Sequence, residues 1–357
     1  METFILQKAS LSPFLAACET ARRVHIPVET EPNHTIFRPL AECEVEDGLY
    51  PVALSYLRTA LPPKKYFFPP EEVLYRFDAE GYHAEQPELP PMILFGLHPC
   101  DLHGLGIIDH FFTRDHPDRT FHQRRRQAWL IGLGCMPDAH CFCQSLGTDH
   151  IDTLYDLFLW DLGDRFYVMV RTEEGHDMLH LARQLFSDVT SADQHDYLKL
   201  LKQRREAFAL KMPISDLPQV LEVKQDCSVW DRLGSACFTC GACSMVCPTC
   251  TCYSLFDRVD LSGTCGERCR RWSSCLFRDF DRGAGDHHFR RQRGDRVKNR
   301  YYHKEHGYVN GFGQPSCTGC GRCIEACPAG IDVVSVFTQV RSACGGPDED
   351  GQQEVKS

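Results

Sequence analysis

Two cysteine runs of the same spacing contain the residues best suited to chemistry. The first lies within residues 237–252 (CFTCGACSMVCPTCTC) and the second within residues 317–328 (CTGCGRCIEACP). Each contains the pattern Cys-x-x-Cys-x-x-Cys-x-x-x-Cys-Pro. In this spacing three thiolates of one tight loop can bind three irons of a 4Fe-4S cube, and the fourth thiolate reaches the other cube. The sequence therefore predicts two cubes that exchange one ligand.

This exchange assigns four thiolates to each cube. Gly241 and Gly321 occupy the same place in the two runs, where a missing side chain lets backbone N–H groups approach sulfur. The first predicted set is Cys237, Cys240, Cys243 and Cys327, and the second is Cys317, Cys320, Cys323 and Cys247.

Two other uses of cysteine compete with this interpretation. Zinc also takes four thiolates, but zinc sites usually pair two Cys-x-x-Cys halves across a longer gap, so a third closely spaced cysteine favours iron–sulfur. The chain contains 21 cysteines, yet residues 1–10 form no apolar signal stretch, so a disulfide framework is disfavoured.

A third group of thiols follows two predicted strands. The apolar runs at 91–96 (PMILFG) and 128–134 (AWLIGLG) are typical of strands buried in a parallel sheet, and residues 102–112 fit a crossover helix between them. Ligands of such sheets bind at the carboxyl ends of the strands, where cysteines follow both runs. A third 4Fe-4S cluster is therefore predicted, with Phe142 facing the core and Cys100, Cys135, Cys141 and Cys143 as ligands. Buried free thiols and a zinc site remain alternatives here.

These elements predict an α/β amino-terminal domain with a short parallel sheet, followed by an α+β ferredoxin-like two-cluster domain with a long insertion. The domains are expected at 1–220 and 221–345, before a disordered acidic tail at 346–357. Within the first domain, the aromatic segment at 64–75 is expected to lead into a short helix. Residues 156–172 are expected to form two strands joined at Gly163-Asp164.

The insertion, residues 251–316, contains a basic run at 287–306 (HHFRRQRGDRVKNRYYHKEH). On a chain of net charge −10, this run is either a solvated face or a positive patch that docks an acidic partner, with cations that stabilise reduced clusters. The cations concerned are Arg290, Arg291, Arg293, Arg296, Lys298, Arg300 and Lys304. The spacing assigns no role to Cys250, Cys252, Cys265, Cys269 and Cys275.

Composition narrows the functional classes further. Of the 357 residues 43% are apolar and 25% charged, as in ordinary globular proteins, and no apolar run is long enough to span a membrane. A cytoplasmic location is therefore expected. The negative net charge argues against general affinity for nucleic acid. The glycine pairs at 104–106 and 132–134 lack the third glycine of a dinucleotide fingerprint.

The order of these motifs resembles one family of iron–sulfur proteins. The segment YFFPPEEVLYRF, the strand ending in Pro-Cys-Asp, the CFC pair and the two cysteine runs resemble the beta subunit of sulfhydrogenases and the corresponding iron–sulfur subunit of anaerobic sulfite reductases, which carry a 4Fe-4S dicluster domain. The resemblance extends from about residue 64 to residue 340, but it does not place Cys265 and Cys269.

The resemblance implies an electron-transfer subunit rather than a catalytic one. Its partners would be a flavoprotein that oxidises NAD(P)H and a catalytic subunit, either a nickel–iron hydrogenase or a sirohaem sulfite reductase. Two alternatives stay open. The chain could itself catalyse a reduction at the amino-terminal cysteine site, or it could be a zinc-dependent interaction module.

Overall fold

The first half of the chain forms most of the strands. The computed structural model describes residues 2–84 and 90–343. The strands of the first half are β1 (Glu2–Gln7), β2 (Arg23–Glu31), β3 (His34–Pro39), β4 (Glu71–Asp78), β5 (Gly81–Ala84), β6 (Met92–Leu97), β7 (Ala128–Leu133), β8 (Leu157–Asp161), β9 (Arg165–Val170) and β10 (Phe186–Asp188). Its helices are α1 (Leu11–Glu19), α2 (Pro99–Thr113), α3 (Arg119–Arg126), α4 (Glu173–Leu181) and α5 (Ser191–Glu206).

Eight of these strands build one sheet, in the order β10-β1-β9-β8-β7-β6-β2-β3. The four neighbours β8, β7, β6 and β2 are parallel, and all six residues of β6 are buried, as expected for a strand covered on both faces. The predicted βαβ unit (β6, α2, β7) and the predicted hairpin (β8 and β9) are both present. The sheet is larger than the short parallel sheet predicted, because β1, β3, β9 and β10 extend it by antiparallel pairing.

The second half is mainly helical. Its helices are α6 (Leu217–Val223), α7 (Val229–Ala236), α8 (Ala242–Met245), α9 (Arg293–Tyr302), α10 (Tyr308–Phe312), α11 (Arg322–Glu325) and α12 (Val333–Ser342). One π-helical turn, His303–Gly307, connects α9 and α10. The strands are β11 (Tyr253–Val259), β12 (Gly266–Trp272), β13 (Arg282–Gly283) and β14 (His287–His288).

The insertion forms a sheet together with the first half. Strand β12 pairs antiparallel with β11 on one side and with β4 on the other, which gives the order β11-β12-β4-β5. The prediction of a short helix after the aromatic segment is wrong, because residues 71–78 form strand β4 of this sheet. A partner strand almost 200 residues away supplies the hydrogen bonds that a helix would have made within the segment.

Three apolar cores hold the molecule together. Two cover the two faces of the large sheet, and the third contains Phe142, Trp230, Tyr301 and Phe337. Phe142 is fully buried, as predicted, but it packs into the third core with side chains of the second half. In the described part of the chain, no helix has the length and apolar character needed to cross a membrane. The tail predicted at 346–357 lies outside the described residues.

Candidate iron–sulfur sites

The two cysteine runs fold in the same way. Thr239 and Gly319, at equivalent positions, have φ angles of 54° and 62°, and Gly241 and Gly321 have φ angles of 77° and 75°. One-turn helices, α8 and α11, follow the two glycines. The positive φ angles explain why glycine recurs at this place.

Backbone N–H groups surround the cysteine sulfurs in both runs. Thr239 donates to Cys237 Sγ at 3.3 Å, and Gly319 donates to Cys317 Sγ at 3.5 Å. Ile331 donates to Cys327 Sγ at 3.3 Å. Such bonds stabilise the negative charge of a thiolate, so both loops are prepared to hold ionised sulfur.

The first predicted set of thiols lies together. Burial raises the pKa of Cys237, and the thiolates of Cys243, Cys327 and Cys240 add to the rise. All four cysteines line one cavity, beside Tyr301 and Leu276 among others. The second run thus brings its fourth cysteine to the three cysteines of the first run.

The second predicted set also lies together. Burial raises the pKa of Cys323 to about 12, and the charges that act on it include those of Cys320 and Cys247. Burial likewise raises the pKa of Cys317, with Glu305 and Cys323 as the nearest negative charges. These contacts bring the fourth cysteine of the first run to the three cysteines of the second.

The amino-terminal set is grouped around Cys143. Burial raises the pKa of this thiol, and the neighbouring thiolates of Cys135 and Cys141 raise it further. Cys100, in the first turn of α2, also interacts electrostatically with Cys143. The structure therefore brings together the four cysteines that sequence spacing assigned to a third site.

A buried histidine, which the sequence analysis did not single out, stands beside this set. The two ring nitrogens of His98 lie 3.0 Å from the carbonyl oxygens of Leu133 and Tyr56, and both can donate only when the ring carries two protons. Although burial opposes it, the charge of the Cys135 thiolate raises the pKa of His98. In return, and also against burial, His98 lowers the pKa of Cys135 to about 7. The sequence feature that could have identified His98 is its position between the end of the first predicted strand and Cys100.

Two arginines complete the charge around the amino-terminal set. Arg58 lies 3.6 Å from Cys141 Sγ and pairs with Asp138 at 2.8 Å. Arg204 donates to the Cys135 carbonyl at 2.6 Å and pairs with Asp149 at 3.3 Å. Sequence reasoning missed both, because neither lies near the cysteines along the chain.

The amino-terminal cysteine loop packs directly on the second run. The Phe142 N–H donates to the Gly319 carbonyl at 2.9 Å, and a Cβ atom at Gly319 would stand 2.5 Å from the Cys143 nitrogen. Cys100 interacts electrostatically with Cys320. Glycine at 319 is therefore required for close packing, since Thr239 has a similar φ angle at the equivalent position of the first run.

A buried ion pair links the same two segments. Arg322, which begins α11, donates to Asp101 of α2 at 2.6 and 3.0 Å. Their side chains are 2% and 0% exposed. Asp101 adjoins Cys100 and Arg322 lies between Cys320 and Cys323, so the pair stands between two of the predicted sets.

The basic run is divided between buried and exposed cations. Arg296, Arg300 and Lys304 are buried, and Arg290 pairs with Asp281 at 3.1 Å. Arg300 lies 3.5 Å from Cys250 Sγ. Arg296 of α9 donates to backbone carbonyls, whereas Arg300 and Lys304 lie close enough to cysteines to interact with their charge. Only Arg291 and Arg293 of the run's arginines are fully on the surface.

Cys265 and Cys269 take part in neither run. Cys265 is exposed at the turn between β11 and β12, and Cys269 is buried in β12 with Arg258 at 3.1 Å from its sulfur. Both belong to the four-stranded sheet. Cys250 instead lies beside Cys247 of the second set, and Cys252 and Cys275 lie beside each other and close to Cys250.

The donor sets fit iron–sulfur clusters. Within residues 2–84 and 90–343, no three His, Cys, Asp or Glu side chains converge as ligands of a single metal ion. A cube makes a different demand, because each thiolate binds a different iron. Four thiols with N–H donors and adjacent cations match that demand.

The comparisons with known proteins agree with this chemistry. Residues 236–331 match the 4Fe-4S dicluster domain. The chain is 37% identical over 290 residues to Sulfhydrogenase 2 subunit beta of Pyrococcus furiosus, a match that covers 81% of this chain and 86% of that protein. No solved structure is significantly similar to the chain. The chain therefore belongs to the family of iron–sulfur subunits that includes the sulfhydrogenase beta subunit.

Proposed function

We propose that this chain is an electron-transfer subunit of a multisubunit redox enzyme. It relays electrons between a flavoprotein linked to NAD(P)H and a catalytic subunit of the nickel–iron hydrogenase or sulfite reductase type. The name of the Pyrococcus furiosus relative supports the hydrogenase branch. The dicluster domain supports the iron–sulfur chemistry.

Three 4Fe-4S clusters serve the relay in this proposal, each of which takes up and releases one electron. The three proposed ligand sets are Cys237, Cys240, Cys243 and Cys327; Cys317, Cys320, Cys323 and Cys247; and Cys100, Cys135, Cys141 and Cys143.

One observation carries the proposal: the amino-terminal cysteine loop contacts the second run. Cys100 interacts with Cys320, and the Phe142 N–H donates to the carbonyl of Gly319. Cys323 of the second set interacts in turn with Cys243 of the first. Neighbouring sets are thus close enough for their charges to interact, which supports a relay of single electrons.

The chain's own residues then protect and tune the path. Phe142 and Tyr301 are buried between the cysteine loops and exclude water from them. Backbone N–H groups and buried cations stabilise negative sulfur, which favours the reduced state of a nearby centre. No general acid or nucleophile is needed, because no bond is made or broken in the relay.

The test is anaerobic purification of the whole complex from cells that carry either Cys141→Ser/Cys143→Ser or Cys247→Ala. Each variant is expected to lose about four irons per chain and to slow electron flow from NAD(P)H to the catalytic subunit. Cys227→Ser, at a buried cysteine of the third core, is the control and should change neither quantity. Normal electron flow through a variant that lacks four irons would contradict the relay.

A second candidate function has one observation in its favour. A cavity lined by Cys135, Trp160, Arg204 and Lys8 opens beside the amino-terminal set, so this site could bind a small substrate and reduce it. Steady turnover by the isolated chain with a reduced dye would establish this reductase activity. A chain that is active only as part of the complex would favour the relay.

A further inference from the structure

Three cysteines outside the predicted ligand sets come together beside the second set. Cys275 and Cys252 lie within side-chain hydrogen-bonding distance of each other. Cys250 adds a further electrostatic interaction with Cys275. The Ser273 N–H donates to the Cys252 carbonyl at 2.9 Å, which holds the segment before Cys275 against residue 252. The three thiols thus come from two segments that the fold holds together.

The group also contacts the second set. Cys250 makes a side-chain hydrogen bond with Cys247. Cys247 is the proposed fourth ligand of the second set. The extra thiols therefore continue the line of cysteines rather than forming a distant site.

Three buried cations surround these thiols. The Lys64 ammonium donates to the Cys250 carbonyl at 2.7 Å, Arg300 lies 3.5 Å from Cys250 Sγ, and Lys304 donates to Thr249 at 2.7 Å. Lys64 is 1% exposed, and both other side chains are 8% exposed. Considering only the described residues, none of the three cations lies within salt-bridge distance of a carboxylate.

Buried charges of one sign are strongly unfavourable without counter-charge. Thiolates bound to metal remain ionised, so a metal centre on the extra cysteines would balance the cations.

The site also opens to the surface. Cys252 and Cys275 line a wide cavity together with Tyr302, His303 and Phe280. With three cysteines and an opening on one side, the group matches a cube that has three protein thiolates and one iron facing a cavity.

We propose that Cys250, Cys252 and Cys275 hold a fourth 4Fe-4S cluster, whose fourth iron faces this cavity. A cube is favoured over a single zinc ion for two reasons. The side chains do not converge on one point within the described residues, and they contact a neighbouring set of redox thiols. The proposal rests on the proposed function in one respect, since its electrons come through the contact between Cys247 and Cys250.

The first test compares the whole complex, purified anaerobically, in wild-type form and with Cys252→Ser/Cys275→Ser. The variant is expected to contain about four irons and about four acid-labile sulfides fewer per chain. The matched control is Cys265→Ser/Cys269→Ser, which removes two cysteines of the same insertion and should leave the iron content unchanged. Equal iron in the test variant, or loss of zinc in place of iron, would overturn the proposal.

The second test needs no variant and so does not depend on its folding. Cyanide added to the reduced wild-type complex should bind the iron that faces the cavity and shift one of the cluster signals in the EPR spectrum. An unchanged spectrum would overturn the open position. Both tests report on this one site. Failure of the proposed relay would be seen separately, as normal electron flow in the Cys247→Ala complex.

Discussion

Buried cations surround two cysteine regions of this protein, but their positive charge is balanced in a different way in each region. Around the amino-terminal set, the three arginines described above each have a carboxylate: Arg58 pairs with Asp138, Arg204 with Asp149 and Arg322 with Asp101. Around Cys250, Cys252 and Cys275, the cations Lys64, Arg300 and Lys304 have no carboxylate partner within the described residues.

The difference shows what each region depends on. In the amino-terminal region the protein balances its own charges, so the loops can keep their structure whatever the state of the thiols. In the other region the counter-charge must come from sulfur, and thiolates bound to a metal centre stay ionised. The fold of that region is therefore expected to depend on its bound cofactor.

The largest expected effect comes from breaking a balanced pair. Asp101→Asn leaves Arg322 buried and unpaired, and we expect it to lower the free energy of unfolding by about 3–5 kcal/mol. Anaerobic urea titration of the purified chain measures the loss. The double variant Asp101→Leu/Arg322→Met removes both charges and should recover much of the stability. A double variant as unstable as the single one would show that the unpaired charge of Arg322 does not cause the loss of stability.

A smaller effect is expected from removing an unpaired cation. Lys304→Met takes one positive charge from beside Cys247 and Cys250 and should lower the reduction potential of the nearest cluster by about 60 mV, a tenfold change for one electron. EPR-monitored redox titration of the complex measures it.

The control for this shift is Arg204→Met/Asp149→Leu, which removes both members of an ion pair beside the amino-terminal set. Its net charge change is zero, so the potential of the amino-terminal cluster should move much less. Equal shifts of the reduction potential in the two variants would contradict the difference between a region whose cations pair with carboxylates and a region whose cations do not.

The smallest effect is expected from cations that remain on the surface. Arg291→Glu/Arg293→Glu should slow electron transfer between subunits about two- to fivefold at low salt and flatten its dependence on ionic strength. Iron content should not change, unlike in variants of the buried region. Lys199→Glu/Lys202→Glu, on the exposed side of α5, controls for net charge. Unaltered kinetics would make the exposed part of the basic run an ordinary solvated face.

Sequence reasoning succeeded where spacing is local. The repeat of the two runs predicted equivalent loops, and Thr239 and Gly319 have similar φ angles and donate to equivalent sulfurs. The apolar runs predicted β6 and β7 because two buried faces leave a continuous hydrophobic signature. It failed for β4, whose pairing depends on β12, and it could not distinguish the buried Arg300 and Lys304 from the exposed Arg291 and Arg293.

The sequence by itself determined which cofactor chemistry the chain can support, since cysteines separated by two or three residues lie on one loop in any fold that forms the loop. Only the tertiary structure decided which loops meet. Asp101 and Arg322 are 221 residues apart along the chain, and Cys252 meets Cys275 because the strands of the insertion return to it. Contacts of this range depend on how whole elements pack, and a local pattern of residues carries no record of that packing.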